Sequence, residues 1–170
     1  MDKAQFWRLI EDAKAETGGD CEEQVDTLRQ SLARLTLQEI IAFEGIYDEF
    51  RFLAYRWDLW GASVFISGGS HDGFEYFRGW LIAQGESVYK NALEDPDGLA
   101  DVVPDGFYDA ECEDMLYVAA QAYEDKTGTE MPERQKAWPK IVGQKWDDAE
   151  LDTLYPRLAA KVAQSKAEEL

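Results

Sequence analysis

Residues 36–57 read TLQEIIAFEGIYDEFRFLAYRW. Thr36 and Glu39 have the spacing of a capping box, in which each side chain answers a backbone N–H of the other's turn. Beyond them Leu37, Ile40, Ile41, Phe43, Ile46, Tyr47, Phe50, Leu53, Ala54 and Trp57 recur at helical intervals. Their arc is wider than the stripe of a surface helix, so a central helix touched on several sides is expected, running to about Trp57. Arg51 and Arg56 on it are expected to pair with neighbouring acids.

Working outward, the same period repeats. Asp2 caps a helix to about Ala15 carrying Phe6, Leu9, Ile10 and Ala13 on one face. Thr17-Gly18-Gly19-Asp20 breaks it, and a second helix from Cys21 to Leu35 aligns Val25, Leu28, Leu32 and Leu35. Further helices are expected over about 72–84 (closed by Gly85), 86–93 (stopped at Asp95-Pro96) and Tyr108–Lys126. Residues 129–145, with Pro132 and Pro139, read as a loop pinned by Trp138. A short helix near 148–154 and one opened by Pro156 complete the chain. Only Ala62-Ser63-Val64-Phe65-Ile66-Ser67, a β-branched run, suggests a strand, and it is too short to support a sheet. The expectation is an all-α, single-domain bundle of six to eight helices over residues 1–170, with at most one β segment near 63–67 and a C-terminal helical extension over about 146–170. A chain of 170 residues suffices for one domain that buries roughly 70% of its unfolded surface.

Charge narrows the partners. The chain carries 35 acidic and 17 basic residues, a formal net charge of −18. Residues 91–125 hold 11 acidic residues and no Lys or Arg, whereas 126–170 balance at eight and eight. A field of that sign repels phosphate backbones and anionic lipid, so nucleic acid and membrane surfaces are not expected as partners. No run of about 18 apolar residues exists to span a bilayer. The start, MDKAQFW, has no basic stretch leading into an apolar one, so no secretory signal is read there. Cys21 and Cys112, 91 residues apart, form no CxxC motif or disulfide framework, which points to a reducing cytoplasm.

The chemistry-bearing stretch is Gly68-Gly69-Ser70-His71-Asp72-Gly73-Phe74-Glu75-Tyr76-Phe77-Arg78-Gly79-Trp80-Leu81-Ile82. Glycines and a Ser-His-Asp run directly before an aromatic helix could receive an anion at its N-terminus. The candidate ligand-binding residues are Ser70, His71, Asp72, Tyr76, Arg78 and Trp80. The plainer reading is that Ser70 or Asp72 caps the helix while Phe74, Phe77 and Leu81 enter the core. Three adjacent residues are no catalytic triad, whose members converge in space. One histidine and two distant cysteines lack zinc spacing, and Asp95-Pro96-Asp97-Gly98-Leu99-Ala100-Asp101 lacks the length and terminal Glu of an EF-hand. Asp97 reads instead as a helix cap. No metal and no cofactor is called for.

Phe6-Trp7-Arg8-Leu9-Ile10, Gly68 to Ile82 with Gln84-Gly85, and Tyr89 with Pro96-Asp97-Gly98-Leu99-Ala100 resemble a bacterial family known as domain of unknown function 4240, over about residues 1–125. The resemblance implies a mainly helical domain and brings no established reaction. It also implies an acidic residue at the place of His71 in many members, so a histidine-dependent mechanism is not general there. Two functions are weighed. In the first, a non-enzymatic binding or regulatory module docks a basic protein through an acidic face at Asp101, Asp105, Asp109, Glu111, Glu113 and Asp114. In the second, an enzyme or small-ligand binder uses Gly68–Trp80, with Arg78 holding an anion and Asp72 as base.

Overall fold

The computed structural model describes residues 1–168, and the side chains of all of these except Ser165, Lys166 and Glu168. Nine α-helices lie among the described residues: α1 Lys3–Thr17, α2 Cys21–Ala33, α3 Leu37–Leu53, α4 Trp57–Ser67, α5 His71–Ala83, α6 Glu86–Glu94, α7 Val118–Thr127, α8 Leu151–Leu154 and α9 Pro156–Glu168. Short 3-10 turns occupy Pro96–Asp101, Glu113–Leu116 and Asp148–Glu150, and no strand forms among the described residues. The fold is all-α and single-domain, as expected. The C-terminal extension expected to reach 170 is described to 168; Glu169 and Leu170 lie outside the described residues.

Local side-chain caps set the starts of α1, α2, α3 and α5. The Asp2 and Thr36 side chains accept from Gln5 N and Glu39 N, and Gln5 and Glu39 complete both capping boxes. Asp20 caps α2, and Ser70, rather than Asp72, caps α5 by accepting from Gly73 N at 2.9 Å. α3 runs through the middle, with Ile40, Phe43, Tyr47 and Phe50 buried. Phe6 and Trp7 of α1 pack at a tilt on Phe43 and Phe50, and Tyr89 of α6 closes the cluster at 5.3 Å from the Phe50 ring. Carbonyls at the C-terminus of α3 accept from other elements, Phe50 O in addition to its bond from Ala54 N. The Tyr89 hydroxyl donates to Phe50 O at 2.7 Å, and Arg78 Nη1 donates to Arg51 O at 3.0 Å.

Four expectations need correction. The 62–67 run is helical: Leu59, Ala62, Ser63 and Ile66 are buried at a 3.6-residue period. Its hydroxyls are satisfied inside the helix, Ser63 Oγ on Trp60 O and Ser67 Oγ on Ser63 O. With no neighbouring strand to take its backbone groups, the β-branched preference yields to tertiary packing. The central helix stops at Leu53, and Arg56 is extended. Tyr55 O accepts from Val142 N at 3.1 Å, while Trp57 N donates to Val142 O at 2.9 Å. The helix expected over Tyr108–Lys126 begins only at Val118, after a 3-10 turn. Upstream, Ala110 N and Cys112 N donate to Ile66 O and Tyr76 O, each at 3.0 Å, which draws the backbone onto α4 and α5 instead of onto itself.

The fourth correction concerns the cysteines. Cys21 at the start of α2 and Cys112 beside α5 form a disulfide, with Cα atoms 5.8 Å apart. The reducing-cytoplasm expectation rested on two unpaired thiols and loses that support. Cys112 is buried, so the bond ties the acidic segment to the α2 end of the bundle. Closing a loop with a sequence separation of 91 restricts the unfolded chain by about 2–4 kcal/mol. Cys112→Ser, or reduction of the wild type, is therefore expected to lower Tm by about 10 °C. Thermal melts with and without reductant measure this, and the variant should show no reductant effect.

Candidate functional site

The Gly68–Trp80 residues do not gather around one cavity. His71 and Asp72 are solvent-facing, Asp72 with 82% of its side chain exposed. Tyr76 is half-buried, whereas Trp80 belongs to the core, stacking on Phe77 at 5.8 Å. Arg78 lies inside the protein, 7% exposed, between the rings of Tyr55 (4.8 Å) and Phe74 (5.1 Å). No carboxylate is within 4 Å of it among the described residues; its hydrogen bonds go to Phe74 O and Arg51 O. Burial and then Arg51 draw its pKa down to about 10, so it remains a cation at neutral pH. A positive charge on the open carbonyls of a helix C-terminus complements the helix dipole. Gly79 has an equally structural reason, since a Cβ there would meet Cys112 O at 2.6 Å. The motif is thus a packing signature joining α5 to α3 and to the Cys112 segment.

What the structure does join is the exposed end of α5 and the acidic segment, two sets that the sequence kept apart. The Glu111 carboxylate lies over the first turn of α5, 2.9 Å from where a Gly73 Cβ would stand. Burial, then Asp109 and Glu113, push the Glu111 pKa up. The Tyr76 hydroxyl is pushed up too, first by lost hydration and then by Glu113 and Asp72. Tyr108 and Tyr117 are exposed beside these acids. Among the described side chains, no Lys or Arg is within 4 Å of Asp72, Asp109, Glu111, Glu113 or Asp114.

Asp101 and Asp105 stand differently. Asp101 pairs with Arg157, and Asp105 pairs with Lys161 at 2.8 Å, both cations on α9. Asp97 is a cap, but of a helix far along the chain: its carboxylate accepts from Arg157 N at 3.1 Å and Leu158 N at 3.0 Å. The C-terminal helix therefore pairs with Asp101 and Asp105, and among the described side chains it leaves Asp109–Asp114 without a cation within 4 Å.

A second charged cluster was not foreseen. Glu44, Asp48 and Arg51 lie on α3 and are buried. Arg51 donates to Asp48 at 3.0 Å and to Glu75 of α5 at 2.9 Å. Lys136, from the long loop after α7, places its ammonium 3.1 Å from Glu44 and 2.8 Å from Asp48. Burial and Asp48 raise the Glu44 pKa, whereas the two carboxylates hold that of Lys136 above its ordinary value. Two cavities lie between α3 and the loop after α7. One, of about 1000 Å³, is lined by Phe52, Leu53, Val142, Trp146 and Leu154. The other, of about 600 Å³, lies between Glu44 and Met131, Arg134, Lys136 and Trp138. Glu44 and Asp48 sit one turn apart within the apolar stripe of α3, which is a sequence signal for buried acids. Nothing in it names a partner 92 residues away.

No group of three or more His, Cys, Asp or Glu side chains is placed to hold a metal ion among the described residues. No described helix is long and apolar enough to cross a membrane. The architecture and the two charged surfaces define a small all-α domain with ion pairs at its centre and an acidic outer face. The chain belongs to the family described as "Protein of unknown function (DUF4240)", whose model matches residues 1–125. No curated protein and no solved structure matches it.

Two measurements separate packing from site roles. Arg78→Ala removes a buried guanidinium together with the cap on α3, and is expected to cost about 2–4 kcal/mol in denaturant titration. Asp72→Ala is expected to change stability by less than about 0.5 kcal/mol. Lys136→Met leaves Glu44 and Asp48 short of a cation. Glu44, whose folded pKa is already raised, then takes up a proton more readily when folded than when unfolded. The destabilisation is expected to be largest at neutral pH and to shrink as pH falls through the folded pKa of Glu44. Denaturant midpoints of both proteins across that pH range check the sign.

Proposed function

We propose that this domain is a non-enzymatic binding or regulatory module that docks a basic segment of a partner protein on the face formed by Asp72, Asp109, Glu111 and Glu113. The supporting observation is the meeting of the α5 end and the 109–114 segment on one surface, with no described cation within 4 Å. Neighbouring Asp101 and Asp105 already have cations of their own. Burial, and then the neighbouring Asp109 and Glu113, push the Glu111 carboxyl up, and a basic partner relieves the repulsion among these acids on binding. Exposed Tyr108 and Tyr117 add aromatic surface of the kind that anchors interfaces. Nucleic acid and anionic membrane would meet repulsion on this face. The Cys21–Cys112 disulfide suits an oxidising compartment better than the cytoplasm.

The triple variant Asp109→Asn, Glu111→Gln, Glu113→Gln is expected to weaken capture of the partner at least tenfold while leaving the melting temperature of the domain within a few degrees. Raising salt from 50 to 300 mM should weaken the wild-type complex in the same direction, because exposed charges are screened within about 8–10 Å. Affinity capture on immobilised wild type and variant, in parallel salt steps, measures both. Partners that stay bound to the triple variant, or ignore salt, sink the proposal.

A further inference from the structure

Residues 123–150 include no buried residue, yet this segment crosses the C-terminal half of α3 in a defined path. It is held by a few contacts instead of by a core. Lys136 reaches Glu44 and Asp48. Trp138, 70% exposed, lays its ring on Phe52 at 5.5 Å and under the Arg51 guanidinium at 5.4 Å. Val142 pairs its backbone with the extended Tyr55–Trp57 stretch, and Trp146 Nε1 donates to Trp57 O at 2.8 Å. The receiving side is the opposite in character. Glu44, Asp48 and Arg51 are buried and braced by Glu75, and Trp57 stacks on Trp60 at 5.1 Å. Both cavities are lined in part by strap residues and in part by α3 or its C-terminal continuation, with Ala120 and Glu124 adding to one and Leu154 and Tyr155 to the other.

The division coincides with the family boundary. Every receiving residue lies within 1–125, and every strap residue lies beyond it. We propose that the α3 groove is a recognition site for an extended peptide segment carrying a lysine followed two residues later by an aromatic, and that residues 130–146 occupy it in cis as a built-in competitor. The buried Glu44–Asp48 pair selects the ammonium, the Arg51–Phe52 surface selects the aromatic ring, and the open backbone groups of residues 55–57 pair with the ligand as with Val142. This groove shares no residue with the acidic face, so the inference stands apart from that reading.

A tethered competitor acts at a high effective concentration and lowers the apparent affinity for any incoming segment. The test uses the full chain and a fluorescently labelled synthetic peptide of residues 130–146. Lys136→Ala/Trp138→Ala is expected to bind the peptide at least tenfold more tightly than wild type in anisotropy titrations, with helical circular dichroism retained. Adding Glu44→Gln and Asp48→Asn should abolish the gain. Equal binding to wild type and double variant, no binding to either, or a gain that survives neutralisation of Glu44 and Asp48 overturns the proposal. If the double variant does not fold, hydrogen exchange of the wild type decides. Millimolar unlabelled peptide should accelerate exchange in residues 136–146 and leave α1 and α2 unchanged, and no acceleration rejects the groove.

Discussion

The guanidinium of Arg51 joins Asp48 on its own helix to Glu75 on α5, while Lys136 completes the charge balance from the far side. Burying carboxylates on a helix that is otherwise packed with aromatics is unfavourable unless cations accompany them. That constraint ties three parts of the chain together: α3, α5 and the strap after α7. Arg78 meets the cost of burial in another way, without a carboxylate of its own. Its charge rests on the carbonyl end of α3 and between two rings, so the terminus of the central helix is capped by a neighbour.

The distribution of charge on the outside follows from where α9 lands. Asp97 caps α9, and Asp101 and Asp105 meet Arg157 and Lys161, so the balanced C-terminal segment answers the acidic one only where the two touch. The remaining acids, Asp109 to Asp114, are carried by backbone that hydrogen-bonds to α4 and α5 and is fastened through Cys112 to α2. An acidic run that reads as one block along the chain is therefore divided in the fold, Asp97, Asp101 and Asp105 answering α9 and Asp109 to Asp114 lying beside α5.

Legibility varied with the range of the force involved. Capping at Asp2, Thr36 and Ser70 was readable because donor and acceptor are three residues apart. The pairing of Arg51 and Arg56 with neighbouring acids was readable for the same reason: Asp48 and Asp58 are within three residues. Trp138 was rightly placed as the pin of its loop, but its seat on Phe52 and Arg51 was not visible. Among the candidate residues, Tyr76 and Asp72 do adjoin the acids at Glu113 and Glu111, whereas Trp80 and Arg78 turned out to be interior. Arg78 sits off the apolar stripe of its helix, and only a neighbouring helix end makes its burial tolerable.

By itself the sequence determined the helical class, most helix starts and stops, and the concentration of negative charge in 91–125, because helix hydrogen bonds, caps and composition act within about four residues along the chain. Tertiary structure alone decided that 62–67 is helix, that Cys21 meets Cys112, that α9 meets Asp97, Asp101 and Asp105 of the acidic run, and that Lys136 completes a buried charge cluster on α3. Each of these depends on two segments brought together from distant parts of the chain, and their meeting is set by how helices pack, not by the local pattern of either one.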